Sequence, residues 1–287
     1  MSTILVTGAT GKVGSRLVPR LLGNLEAGER VRVLVRRAEA GRPFADLGAE
    51  VVLGDLTEPA GRAAALAGAD VVVNGAATFR GGVGQAEMDA VNRDAAVALG
   101  RDAAVAGVRR FVQLSTNLVY GPGRGRPARE DDDLRAVGSY PGSKREAEEQ
   151  LVGISQATGL GLVRLRLSFV YGDGDPHLQE YLPRTAHLAA HQRLSMIHHA
   201  DVGQAVLRAL RANGIEGRAY NVADEGPITA WDAHALCGSV LDTSQPAATA
   251  AVEDPWAGVV DSSLIRSELG FRPFYPTAWS AQSAGAL

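Results

Sequence analysis

Residues 7–14 read Thr7-Gly8-Ala9-Thr10-Gly11-Lys12-Val13-Gly14, directly behind the apolar run Ile4-Leu5-Val6. An apolar strand entering three spaced glycines, followed by Val13, Leu17, Val18, Leu21 and Leu22 at helical spacing, predicts strand, tight turn and helix. Gly8 permits the turn, Gly11 lets main chain approach a pyrophosphate, and Gly14 lets the helix pack closely on the strand. The helix start offers unpaired amides and the positive end of a dipole to phosphate. The pattern predicts a dinucleotide site at the first strand end.

The rest of the chain repeats the alternation. Apolar β-rich runs fall at 4–7, 31–35, 51–53, 71–73, 111–114 and 162–167, with helical patterns at 13–22, 60–67, 86–106 and 143–157. Continuous apolar strands separated by helices predict a parallel sheet covered on both faces. The fold class is therefore α/β, a doubly wound parallel Rossmann sheet with its ligand at the carboxyl ends of the strands. The alternation weakens after Tyr171: 172–192 is polar, a helix is expected at about 201–212, and a short strand at 219–222 returns to the sheet. The Ala-, Pro- and Thr-rich stretch 243–257 reads as a surface loop. Residues 1–171 plus 194–223 are expected to form the dinucleotide-binding domain, and 172–193 plus 224–287 a small discontinuous C-terminal substrate lobe.

The 287 residues are 46% hydrophobic and 21% charged, enough to bury a full core. A net charge of −3 gives no reason to expect nucleic acid or an anionic membrane as partner. No apolar stretch approaches the length of a membrane span, and 1–6 reads as the first strand rather than a signal peptide. The single cysteine, Cys237, excludes an intrachain disulfide and reads as a small buried apolar residue. A cytoplasmic location is expected.

The strand ends carry the chemistry. The second strand ends in Arg36-Arg37 with no acid, which favours the extra phosphate of NADP over the ribose hydroxyls of NAD. Lys12 is expected to add positive charge on the same side, so NADP is the preferred cofactor, with NAD possible. Asp55 and Leu56 follow the third strand, where an adenine ring would lie, and Asn74-Gly75-Ala76-Ala77 leaves room for the cofactor's riboses. The fifth strand delivers Ser115-Thr116-Asn117, and Tyr140-Pro141-Gly142-Ser143-Lys144 opens a helix downstream. Tyr140 and Lys144 lie one turn apart and share a face. A phenol titrates near ~10, and a neighbouring ammonium is expected to lower that value. Thr116 is placed to hold a substrate oxygen, with Thr78 and Asn117 as further substrate contacts.

These motifs resemble those of an extended short-chain dehydrogenase/reductase, the NAD(P)-dependent epimerase/dehydratase family. The resemblance runs through TGATGKVG (7–14), GDLT (54–57), NGAA (74–77), the Asn92 helix, STNLVYG (115–121), YPGSK (140–144), RLSFVYG (166–172), IHHADV (197–202), AYNV (219–222) and DSSLIRSELGFRP (261–273). It implies that Thr116 fills the Ser/Thr position, that Tyr140 is the acid/base and that Lys144 binds the nicotinamide ribose. Ser168, Phe169 and Val170 would then sit near the nicotinamide. Asn92 is either a helix-backbone or water-relay residue or a plain helix polar residue. Sugar-nucleotide 4,6-dehydratases of the family carry Asp-Glu directly after the Thr, whereas this chain has Asn117-Leu118, neither of which ionises. The lobe beyond Tyr171 is shorter than in typical sugar-nucleotide enzymes, with Arg184, Arg193 and Arg266 its main cations. The first departure argues against dehydration, and the second favours a small ketone, alcohol or sugar as substrate.

His187 and His191 have the spacing of a metal pair on a helix, but no acid or cysteine lies beside them, and no metal is expected. His198 and Asp261-Ser262-Ser263 read as structural, the latter as a helix cap ahead of Leu264 and Leu269. The expected activity is oxidation and reduction between a ketone and a secondary alcohol through Thr116, Tyr140 and Lys144. The alternative is a sugar or sugar-nucleotide epimerase. A non-catalytic dinucleotide sensor is disfavoured by the presence of Tyr140 and Lys144. The resemblance also implies a homodimer, with Ala96, Leu99, Ala103 and Leu151 on helices that pair across a two-fold axis.

Overall fold

The structure is a computed structural model in which residues 2–79, 83–244 and 246–287 are described. Seven parallel strands form one sheet in the order β3-β2-β1-β4-β5-β6-β9. They are β1 (Ser2–Thr7), β2 (Glu29–Val35), β3 (Glu50–Leu53), β4 (Val71–Asn74), β5 (Arg110–Thr116), β6 (Gly161–Leu167) and β9 (Ala219–Val222). A two-stranded parallel ribbon pairs β7 (Phe169–Tyr171) with β8 (Met196–His198). The order reverses between β1 and β4, where successive crossovers leave in opposite directions and open a crevice at the strand ends.

Alternation along the strands builds two cores. Ile4, Val6, Val31, Val33 and Val35 face one side, against α1 (Gly14–Leu22), α2 (Ala38–Asp46), α8 (His199–Arg211) and α10 (Ser263–Leu269). Leu5, Leu34 and Val72 face the other, against α3 (Pro59–Leu66), α5 (Ala96–Val105) and α6 (Ser139–Thr158). Two buried strand arginines cap helix C-termini, whose last carbonyls otherwise lack donors. Arg32 donates to Ala65 and Ala67 at the end of α3. Arg110 does the same for Ala209 and Leu210 at the end of α8. The remaining helices α7 (His177–Thr185), α9 (Ala230–Leu236) and α11 (Ala278–Ser283) pack with the β7–β8 ribbon around Tyr171, Leu178, Met196, Ile228 and Leu236.

Several expectations are corrected. The 86–106 pattern is helical as expected but not regular: α4 (Gln85–Asp89) runs through a π-helical segment, Ala90–Ala95, into α5. The segment 172–192 contains α7, and 38–46, unassigned from sequence, is α2, whose only buried residues are Gly41 and Phe44. Leu99, Ala103 and Leu151 are buried in the second core and Ala96 is buried as well, so none is available to pair two copies. A Cβ on Gly100 would meet Leu151 Cδ2 at 2.4 Å, so α5 and α6 already pack tightly on each other. His187 lies beyond the last residue of α7, so His187 and His191 share no helical face. His198 instead caps α8, its ring accepting from the Ala200 amide at 3.0 Å. The cap reading of Asp261-Ser262-Ser263 is corrected: Ser262 stands at the N-cap of α10 without a side-chain cap bond, and Asp261 accepts from the Ser263 amide at 2.8 Å in the turn before it. Cys237 is half-buried against the ribbon cluster. Among the described residues, no helix is long and apolar enough to cross a membrane.

Candidate active site

The glycine loop closes the gap between β1 and β4. Gly8 has φ +70°, and a Cβ there would lie 2.5 Å from the main chain of Gly75 and Ala76. A Cβ on Gly14 would lie 2.2 Å from the Gly8 carbonyl, so the start of α1 rests directly on the strand end. Thr10 and Gly11 are exposed at the loop tip, while Val13 packs against the first core. The amides of Lys12 and Val13 have no acceptor among the described residues. This is main-chain surface of the kind that cradles a pyrophosphate.

Below the loop a polar ladder crosses the sheet. The Thr7 hydroxyl donates to Asn74 Oδ1 at 2.5 Å, Asn74 Nδ2 to Gln113 Oε1 at 2.8 Å, and Gln113 Nε2 to the Leu114 carbonyl at 2.9 Å. Lys144 Nζ donates to that same carbonyl at 2.8 Å. The ladder ties the glycine loop to the foot of the lysine. Asn74 and Gln113 were missed as site residues; the signal available was a polar side chain inside an apolar parallel strand, which burial obliges to find partners.

Tyr140 and Lys144 share a face at the start of α6, and Thr116 ends β5 with its hydroxyl accepting from the Leu118 amide at 3.2 Å. The expected effect of Lys144 on the phenol is corrected. Burial pushes Tyr140 up to about 12, and burial also brings Lys144 down to about 8, partly offset by Glu148. The ammonium is turned to the Leu114 carbonyl, so desolvation dominates for both groups. Glu148 is itself held by Arg166 at 2.9 Å, and Arg166 also donates to Tyr120 at 2.8 Å. This buried network braces α6 against β6.

On the adenosine side, Arg36 and Arg37 are exposed at the end of β2, with no ion pair or hydrogen bond from either side chain among the described residues. Asp55 accepts from the amide and hydroxyl of Thr57, which hold its carboxyl below the usual range, with a smaller contribution from Arg36. Leu56 is turned into the second core, so its side chain is not open to a ring as expected. Lys12 does not join the arginines either. Its Nζ lies 2.6 Å from Asp175 and 3.2 Å from Glu180, on the opposite side of the loop. The buried Asp175 carboxylate also accepts from His199 Nε2 at 3.0 Å, and the fully desolvated imidazole is brought down to about 4. A buried carboxylate demands a cation, and Lys12 is the one within reach.

On the nicotinamide side, Ser168 is buried and its Oγ, like that of Ser115, has no partner among the described residues. Val170 packs in the first core, whereas Phe169 is half-buried at the site. Ala76 is half-buried and Ala77 exposed. Asn92, from the π-helical segment, bonds both the amide (2.7 Å) and the carbonyl (2.8 Å) of Thr78, and also Ser143 Oγ at 3.1 Å. It pins the β4 loop to α6 and is more than a plain helix polar residue. Asn117 is buried and Leu118 exposed on a cleft of about 250 Å³ that Val137, Pro141, Trp256 and Val259 also line. A nicotinamide dinucleotide fits this arrangement, with a cradle only glycine permits at one end and an orphaned buried hydroxyl at the other.

The profile of the NAD dependent epimerase/dehydratase family matches residues 4–223. A 4-hydroxy-2-methyl-3-oxo-4-farnesyl-3,4-dihydroquinoline-1-oxide ketoreductase of Stigmatella aurantiaca is 30% identical over 241 residues, 78% of this chain and 68% of that protein. A UDP-glucose 4-epimerase of Vibrio cholerae is 34% identical over 180 residues, 60% of this chain and 53% of that protein. The structure of UDP-glucuronic acid 4-epimerase from Bacillus cereus, in complex with UDP-glucuronic acid and NAD, superposes with a TM-score of 0.80 at 21% identity, covering 98% of this chain and 97% of that one. That likeness shows the fold. With the glycine cradle, the switch-point crevice and the profile match in agreement, the chain belongs to the NAD dependent epimerase/dehydratase family.

Proposed function

We propose that this protein is an NADP-preferring oxidoreductase that interconverts a ketone and a secondary alcohol on a small substrate, with residues 172–193 and 224–287 forming the substrate lobe. The observation that carries the reading is Tyr140 one turn before Lys144, with Lys144 fastened to the Leu114 carbonyl beside Thr116. When bound, the dinucleotide supplies or takes up the hydride. In reduction the Tyr140 hydroxyl gives its proton to the carbonyl oxygen as the carbon receives hydride, and Thr116 orients that oxygen. Lys144 holds the nicotinamide ribose. Asn117 and Leu118 offer no acid to expel water, which argues against dehydration. Exposed Arg36 and Arg37 at the β2 end support NADP.

The test is absorbance of NADPH with a panel of ketones. Substrate-dependent oxidation that is lost in Tyr140→Phe supports the reading. Conversion of a substrate to its epimer without net change in cofactor supports the epimerase alternative instead. We also propose a homodimer, formed not through the buried positions named above but through the outer α5–α6 groove, where Val105 is 91% exposed beside Ala104, Ile154 and Ala157. Light scattering at micromolar concentration tests it, with Val105→Glu expected to give monomer.

A further inference from the structure

Five rings converge at the proton-donating end of the cleft from four separate segments. Phe79, in the β4 loop, lies 5.3 Å from the Tyr140 ring at 44° and 6.2 Å from His177. His177, at the start of α7, stacks on Phe169 of β7 at 4.0 Å and 23°. Phe169 in turn meets Tyr181, one turn further along α7, at 5.1 Å and 59°. The His177 ring is held in this plane by its Nδ1, 2.9 Å from the Val170 carbonyl. Its main-chain amide is held by Asp175 at 3.0 Å. This is not sealed core: Phe79 is 41% exposed, and Phe169, His177 and Tyr181 are half-buried.

The neighbouring cleft continues the same character. Next to Tyr140, Pro141 lines it with Leu118, Val137 and Trp256. Its own arginines are engaged, Arg124 with the Tyr120 carbonyl at 3.2 Å and Arg126 with Asp132 at 2.6 Å; outside it, Arg193 lies over the Trp256 ring at 5.6 Å and Arg266 pairs with Glu225 and Ser262. Arg184 is exposed at the end of α7, one cation against the two charges of a diphosphate.

We infer that the substrate is an uncharged carbonyl compound whose C=O is attached to a flat conjugated ring, stacked among Phe79, Phe169, His177 and Tyr181 with its oxygen at Tyr140. The inference rests on the oxidoreductase reading and narrows it. Flat rings gain from offset or edge contacts with aromatic walls, about two- to tenfold in affinity per well-placed ring. A saturated ring of equal size forgoes that gain. A nucleoside diphosphate would set two charges among apolar walls whose arginines are already paired, an unfavourable desolvation. In the step itself, hydride adds to the carbonyl carbon and the Tyr140 proton to its oxygen. The ketone is reduced to a secondary alcohol and the reduced dinucleotide is oxidised.

The experiment compares 2-acetonaphthone with cyclohexyl methyl ketone and UDP-glucose. Calorimetry on the Tyr140→Phe protein saturated with NADP+ measures binding without turnover, and NADPH oxidation by the unmodified protein measures KM and kcat. We expect 2-acetonaphthone to bind at least tenfold more tightly than the saturated ketone. Tyr181→Leu should weaken that preference by raising KM for 2-acetonaphthone about fivefold, with kcat and the saturated ketone's KM changed less than about twofold. Equal affinities for the two ketones, or tighter binding of UDP-glucose than of either, overturn the inference. Ring-dependent binding with no turnover of any carbonyl supports the ring box while overturning the oxidoreductase reading, so the two fail separately.

Discussion

The two walls of the cleft are made of different material. On the cofactor side the surface is main chain, namely the Gly8–Gly14 turn, the amides of Lys12 and Val13, and a strand end pressed to 2.5 Å of where a side chain would stand. On the substrate side it is side chain, with rings from residues 79, 140, 169, 177 and 181 brought together from the β4 loop, α6, β7 and α7. A main-chain wall admits almost no substitution, because the space a Cβ needs is filled by backbone that cannot rotate away. A side-chain wall can be repacked one ring at a time. On the proposed reading, the fold holds its cofactor by a rigid device and its substrate by an adjustable one.

The largest expected effect tests where the two walls meet. Tyr140→Phe keeps the ring and removes the proton, so kcat should fall about 10²–10⁴-fold while NADPH affinity stays within about threefold by fluorescence titration. Near-normal turnover would remove Tyr140 from the chemistry and leave it as one more ring. On the rigid side, Gly14→Ala forces the Gly8 carbonyl, 2.2 Å from the new Cβ, to move. NADPH affinity should drop by about a hundredfold, the scale of losing two charge-assisted hydrogen bonds. An unaltered Kd would show that this wall yields after all.

A third measurement concerns the exposed arginines at the end of β2. Arg36→Asp should reverse the preference for NADPH over NADH, a change of about tenfold or more. Equal affinities in the unmodified protein would mean that the guanidinium stays in solvent. The pH dependence follows from Lys144. Its ammonium is present below about 8 and lost above, so NADPH affinity should hold below pH 8 and weaken as pH rises through that value. Lys144→Met should bind more weakly and without that slope. The smallest effect concerns the pair that draws Lys12 away from the arginines. Lys12→Met leaves buried Asp175 with only neutral His199 as side-chain partner, and the half-exposed geometry limits the cost to about 1–2 kcal/mol. Chemical denaturation would read it, and an unchanged midpoint would mean that the pair contributes nothing to stability.

Legibility in the sequence divides along the same line. The sheet was readable because most of its strands are buried on both faces and read as largely apolar runs; 219–222 was placed to the residue. The glycine turn was readable because main-chain geometry restricts residue type locally. The direction of the Lys12 side chain was not, since the acid that captures it stands 163 residues later. The ring box was hidden for the same reason: Phe79 and His177 carry no local signal, and only the packing of α7 beside the β4 loop gives them a common purpose. Leu99 and Leu151 were misread because periodicity reports which helix face is apolar and not what lies against it. Here that is the sheet.

The π-helical segment Ala90–Ala95 fits one more residue into its turn than an α-helix would. That extra residue offsets the angular phase of α4 relative to α5 by about 100°, and Asn92 stands where the offset occurs. Its amide satisfies both main-chain groups of Thr78. Removing a single residue from 90–95 would heal the helix into an ordinary one and improve its internal hydrogen bonding. It would also swing Asn92 away, leaving the Thr78 amide and carbonyl to seek water and freeing the loop that carries Phe79. Local regularity and the shape of the ring box are thus in opposition at this point, and the chain has settled the conflict in favour of the box.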